Sequence, residues 1–172
     1  MKIFLAADHR GFQLKETLKP WLESLGHQVE DCGNTILEPQ DDYVDFTRAA
    51  ANKLAQEIKD SDYHSTPTLS ATAIGICGSG IGVSIAANRI PSIRCALCIN
   101  EKHAHHARKN DHANMLALAS EYLTEEDTKT IISTFLSTEE SQEEKYMRRC
   151  KKLDAIQENF AGEDSIPADT LH

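Results

Sequence analysis

Aromatic residues are scarce, with one Trp, four Tyr and five Phe in 172 residues. Positive charge is also short: 18 Lys and Arg stand against 27 Asp and Glu, for a formal net charge of −9. A nucleic-acid binder needs basic and stacking surface, so this composition argues against that class and against adhesion to anionic membranes. No apolar run approaches the roughly 20 residues of a membrane helix. The opening MKIFLAADHRGF runs into charge too early for a secretory leader, so a cytosolic protein is expected. Five cysteines, an odd number, do not suggest a disulfide framework. In a reducing compartment each is a buried thiol, a reactive thiol or a metal ligand. Neither an internal repeat nor a second domain is expected. Its length suits one domain, expected over residues 1–160, followed by a disordered tail, AGEDSIPADTLH, over 161–172.

What is present is alternation. Lys2–Ala7 is a short apolar strand. Residues 10–25 carry Phe12, Leu14, Leu18, Trp21, Leu22 and Leu25 at near-helical spacing, with Gly26 placed to end the helix and Pro20 expected to kink it. His27–Cys32 alternates as a strand, a polar loop spans 33–42, and Tyr43–Ile58 is helical. A second polar loop, DSDYHSTPTLS, covers 60–70. Strands are then expected at Ala71–Cys77, Arg94–Ile99 and Asn114–Ala119, with helices at Gly80–Arg89 and Glu101–Lys109. Thr124 caps a further helix, with Asp127 three residues on as a weak capping box. A charged final helix is expected over 141–160. Strand followed by helix, five times, implies an α/β fold: a parallel five-stranded sheet between helical layers, with an extra C-terminal helix. Ligands of that architecture bind at the carboxyl ends of the strands.

At one such end stands Cys77-Gly78-Ser79-Gly80-Ile81-Gly82. Glycines between a strand and a helix let the backbone approach a ligand and turn its N–H groups toward an anion, and Ser79 and Ser84 add hydroxyls. The spacing is not the GxGxxG of dinucleotide folds, and no Lys-Ser or Lys-Thr closes it as in a P-loop. A sugar phosphate or a polar sugar fits better than a nucleotide. Cys77, at a strand end beside a helix start, is in a position that favours the thiolate and suits a general base. The plainer reading, a small core residue ending a strand, weakens beside the glycine loop. Asp8-His9-Arg10 closes the first strand, where site residues belong; an N-cap role explains Asp8 alone, and His9 less well.

Two patterns look like metal sites and are discounted. Cys95 and Cys98 have CxxC spacing, but on a strand they point to opposite faces, and no second CxxC follows. His103, His105, His106 and His112 form a dense patch that reads as a solvated helix face.

The segments AADHRGFQLKETL, ICGSGIGVSIAANRIPSIRCAL, NDHANMLALAS and RRCKKLDAI resemble, in order and over residues 1–157, the type B ribose-5-phosphate isomerases and the related galactose-6-phosphate isomerase subunits. The resemblance implies a Rossmann-like three-layer sandwich, a homodimer or homotetramer with sites at the subunit interface, and aldose–ketose isomerisation without metal or other cofactor. It gives Cys77 the role of base and the Gly78, Gly80, Ile81 and Gly82 backbone that of an oxyanion hole. Ser79 takes the place of the usual threonine. Asp8, His9, Tyr43, Ser84, Asn110, Lys145 and Arg149 fall among its substrate contacts. Lys109 occupies the place of a ring-opening histidine, Lys145 that of an arginine, and Glu121 that of another arginine at the phosphate. A carboxylate there is expected to repel a phosphate, and lysine lacks the arginine fork. The leading expectation is therefore an isomerase of ribose 5-phosphate or another sugar phosphate, such as galactose 6-phosphate or a tetrose phosphate. A non-catalytic sugar-binding relative is the reading from another class. The apolar stripe Tyr146, Met147, Cys150, Leu153 and Ile156 on the last helix is expected to pack on a partner subunit.

Overall fold

The computed structural model describes residues 1–60 and 69–162, so most of the polar loop expected at 60–70 and most of the tail expected at 161–172 lie outside the described residues. Eleven elements are described: β1 (Lys2–Ala7), α1 (Phe12–Ser24), β2 (Gln28–Asp31), α2 (Tyr43–Asp60), β3 (Ala71–Cys77), α3 (Ile81–Ala87), β4 (Cys95–Leu97), α4 (Glu101–Asp111), β5 (Met115–Ala119), α5 (Glu125–Ser137) and α6 (Glu144–Gly162). The five strands form one parallel sheet in the order β2-β1-β3-β5-β4.

That order sets the layers. The chain moves outward from β1 to β2, then crosses back over β1 to β3. With right-handed crossovers, α1 lies on one face and α2 on the other. Helices α2 and α3 pack together, as do α4 and α5, and Lys129 of α5 lies over the Trp21 ring of α1 at 5.6 Å. The sandwich thus has α2 and α3 on one side and α1, α4 and α5 on the other. The central strands are apolar on both faces because both are covered: β3 and β5 are buried at every residue.

Local signals place most element ends. Leu25 closes α1 and Gly26 follows with φ +83°, the left-handed turn that stops a helix. α1 runs through Pro20 without a break. Thr124 and Asp127 make a full capping box, each side chain bonded to the other's backbone amide. Several element ends differ from the sequence expectation: α3 is shorter than Gly80–Arg89, and α6 starts at Glu144 and runs on to Gly162, into the stretch expected as a tail. β4 is three residues, Cys95–Leu97, so Cys98 lies beyond the strand, although both thiols are buried. The cap of α1 is Gly11, with no side-chain capping bond; the Asp8 carboxylate instead accepts the Arg10 and Gly11 amides at 3.0 Å each, which shapes the turn before the helix.

Candidate active site

Because the chain turns back across β1, α1 and α3 leave the ends of β1 and β3 for opposite faces of the sheet, and at such a switch point a crevice forms. The turn after β1 and the turn after β3 line it. They are held level: Ala7 pairs with Ile76, and the Asp8 amide donates to the Ile76 carbonyl at 3.3 Å. Ser120, just past β5, joins the third strand end. Its hydroxyl lies 2.9 Å from the Arg10 carbonyl and 3.1 Å from that of Cys77, and its amide also donates to Cys77 O at 3.0 Å.

Cys77 is the last residue of β3 and is 5% exposed. The chain beyond it folds back sharply, so that the Gly80 N–H donates to the Cys77 sulfur at 3.2 Å. Gly80 has φ +71°, a conformation that strongly favours glycine, and caps α3. Ser79 is half-buried, and its hydroxyl accepts the Ile81 amide at 3.4 Å. The first α-helical bond of α3 is Ser84 N–H onto Gly80 O at 3.0 Å, so the amides before it stand outside the helical ladder. Gly82 is a close-approach position: a Cβ there would come within 2.6 Å of the Tyr43 ring, which therefore lies against the loop. Over Gly78 lie two charged side chains, with Arg10 Cδ at 2.9 Å and Glu121 Oε1 at 3.0 Å from where a Cβ would sit.

Asp8 is 5% exposed, with one oxygen engaged by the turn amides. His9 is held through Nδ1 by Asp41 at 2.8 Å. The sequence does not reveal Asp41 or Ser120: Asp41 sits in a polar loop with no periodic pattern, and nothing after the apolar run of β5 marks the reach of Ser120 to Arg10. The only signal for Asp41 is its place in the acidic run that precedes Tyr43.

One chain therefore places Asp8 and His9 in the turn after β1, Cys77, Gly78, Ser79, Gly80, Ile81 and Gly82 at the end of β3 and the start of α3, Tyr43 against that loop, and Ser84 in the first turns of α3. It does not bring in the rest. α4 leaves the carboxyl end of β4 and returns to the amino end of β5, so Lys109 and Asn110 fall at the far edge of the sheet. The five residues of β5 alone span about 13 Å between those edges. Lys109 is exposed, and its carbonyl accepts the Ser141 amide at 2.9 Å. Asn110 meets His106 Nδ1 at 3.1 Å. Lys145 is paired with Glu143 at 2.8 Å and lies over Tyr146, as does Arg149.

Burial pushes four thiols up: Cys32 to about 11, Cys98 to about 12, and Cys95 and Cys150 also upward. Among the described residues no three His, Cys, Asp or Glu side chains are grouped as metal ligands, and no helix is long and apolar enough to cross a membrane.

A parallel α/β sandwich with a cysteine and a glycine loop at its switch point belongs to the class that handles small ligands at strand ends. The chain matches the ribose/galactose isomerase family model over residues 3–153 and belongs to that family. It is 34% identical over 149 residues, 87% of each chain, to ribose-5-phosphate isomerase B of Mycolicibacterium paratuberculosis. The fold is similar to ribose-5-phosphate isomerase B of Clostridium thermocellum, with TM-score 0.81 and 33% identity over 93% of this chain and 99% of that one. It is equally similar to the Mycoplasma genitalium enzyme with bound ribulose-5-phosphate, with TM-score 0.81 and 33% identity over 91% and 96%.

Proposed function

We propose that the protein isomerises ribose 5-phosphate and ribulose 5-phosphate, with Cys77 as the base. Membership of the isomerase family supplies the reaction class. Such a reaction removes a proton from C2 of the open aldose, gives an enediolate, and returns the proton at C1. It needs a base beside donors that hold the enediolate oxygens, and one oxyanion donor is typically worth about 3 kcal/mol. The observation that carries this reading is the Cys77 sulfur at the end of β3, with the glycine-loop backbone folded around it. The Tyr43 ring against Gly82 gives the crevice a wall.

The remaining contacts come from a second copy of the chain in this reading. Lys109, Asn110, Lys145 and Arg149 sit together on α4 and α6, remote from Cys77 in their own subunit. A homodimer that lays this edge against a partner's crevice completes two sites. Exposed apolar residues on α3 and α6 support it, with Ile81 54%, Ile85 53%, Leu153 47% and Ile156 53% exposed. On the α6 stripe Cys150 is buried in its own subunit, while Met147, Leu153 and Ile156 are exposed. A monomer at all concentrations by sedimentation would overturn this assembly. We place the enzyme in the cytosol, on its reduced thiols and its phosphorylated substrate class.

The test of the mechanism is Cys77→Ala. Isomerisation of ribose 5-phosphate should vanish while calorimetry still detects sugar-phosphate binding. Most of the activity surviving in that variant removes the thiol from the chemistry. A second reading, a sugar phosphate of another length, is favoured by Glu121 at the end of β5, and a panel of four- to six-carbon sugar phosphates decides between them.

A further inference from the structure

We infer that Asp41 is a positioning residue for this reaction: it fixes the His9 ring so that Nε2 is presented to the substrate at the β1–β3 crevice. The inference rests on the reading of that crevice as the sugar-phosphate site.

Asp41 stands in the loop between β2 and α2, and its side chain is 6% exposed. One oxygen, Oδ1, takes two hydrogen bonds from the same residue: the His9 backbone amide at 2.9 Å and His9 Nδ1 at 2.8 Å. The other, Oδ2, accepts a hydrogen bond from the Asn34 side-chain Nδ2 at 3.0 Å. Asn34 is anchored in turn, since its carbonyl accepts the ammonium of fully buried Lys15 at 3.0 Å. The carboxylate is thus held from behind by one loop and grips His9 at both backbone and ring.

An ionised carboxylate only accepts, so the Nδ1 that faces it carries the hydrogen. The neutral ring then has one tautomer, with Nε2 as an acceptor, and the protonated ring offers Nε2–H as a donor whose charge Asp41 balances. The His9 side chain is one-third exposed, and Nε2 has no hydrogen-bond partner among the described residues. Its backbone is fixed by the Asp8 turn and by the Asp8 amide on Ile76 O, one residue before Cys77. With the backbone set, the contact with Asp41 determines where Nε2 points. A free imidazole prefers the opposite tautomer and rotates about its side-chain bonds, so loss of Asp41 removes both orientation and tautomer.

The test pairs spectroscopy with a double-mutant cycle on the full chain. Nitrogen-15 NMR of the neutral imidazoles should show His9 as the pure Nδ1–H tautomer in the wild type and as a mixture in Asp41→Ala. Asp41→Ala should lower kcat/KM for ribose 5-phosphate at least tenfold. In a His9→Gln background the same change should cost less than twofold, because Asp41 acts through the ring. Asp41→Asn, which keeps one acceptor oxygen, should recover part of both signals; if Asp41→Ala does not fold, Asp41→Asn and Asp41→Ser carry the measurements. An unchanged tautomer, or an equal loss in both backgrounds, overturns the inference. A wild-type chain that turns over no sugar phosphate overturns the functional reading instead, and the tautomer measurement then decides by itself whether Asp41 holds His9.

Discussion

Arg10 Nε lies 3.1 Å from Glu121 Oε1, and the two side chains together cover Gly78 at the mouth of the glycine loop. The glutamate at the strand end is therefore not a bare negative charge. Its repulsion of a phosphate is offset by a guanidinium that reaches across from the turn after β1. Both groups are about half exposed, so the pair contributes little to folding stability, at most about 1 kcal/mol. Its consequence is for charge at the crevice.

Arg10→Ala leaves Glu121 unopposed beside the loop and should weaken binding of ribose 5-phosphate about tenfold. Glu121→Gln frees the guanidinium and should tighten it. The double change Glu121→Arg with Lys145→Arg, which adds charge and restores the fork, should tighten binding further. Titration calorimetry on the four proteins reads these differences. Equal affinities for wild type and Arg10→Ala would show that Arg10 and Glu121 lie outside the path of the phosphate.

A second carboxylate holds a buried cation. Arg108 is fully buried and donates through Nη1 to Glu140 at 2.9 Å and to the Ala113 carbonyl at 2.7 Å. The other Glu140 oxygen meets His112 Nδ1 at 3.2 Å. Glu140→Ala strands the guanidinium, so chemical denaturation should show a loss of about 3–5 kcal/mol. Arg108→Met with Glu140→Gln removes the stranded charge and should recover most of that loss. Because this cluster anchors the end of α4, the single variant should also disturb Lys109 and Asn110.

His27 has a buried Nδ1 without a hydrogen-bond partner, and burial holds its imidazole below the ordinary value of 6.5. The unfolded chain therefore binds this proton more readily than the folded one. The contribution to stability is complete above about pH 6.5 and is lost as the pH falls through the lowered folded value. His27→Gln should have a flatter stability profile between pH 7 and pH 5 than the wild type, as measured by denaturant midpoints at each pH. Parallel profiles would show that the ring titrates alike in both states.

Cys32 and Cys98, pushed by burial to about 11 and about 12, are almost wholly protonated at pH 8. Only the thiolate is nucleophilic, so alkylation of both by iodoacetamide on the native protein should be at least a hundredfold slower than in urea, as followed by peptide mass spectrometry. Rapid native labelling of Cys98 would mean that the end of β4 opens readily.

Much of the fold was legible because its signals are local. Apolar runs marked β1, β3 and β5, Gly26 marked the end of α1, and Thr124 with Asp127 marked the start of α5. The strand-end cysteine with its glycines was legible for the same reason, since turn chemistry and helix start are written within six residues. The strand expected over Arg94–Ile99 is longer than β4, because Arg94, Cys98 and Ile99 fit a strand pattern while only Cys95–Leu97 pairs in register with β5.

The sequence by itself determined which residues form strands and helices and that a thiol meets a glycine loop at a strand end, because backbone propensity and side-chain period act over a few residues. Only the tertiary structure decided which charges meet. Asp41 reaches His9 across 32 positions, Ser120 reaches Arg10 across 110, and Glu121 finds Arg10 from another strand end. Those contacts depend on the order β2-β1-β3-β5-β4, which brings the ends of β1, β3 and β5 side by side and sends Lys109 and Asn110 to the opposite edge of the sheet. Strand order follows from packing and crossover geometry over the whole chain, and no short window of residues carries it.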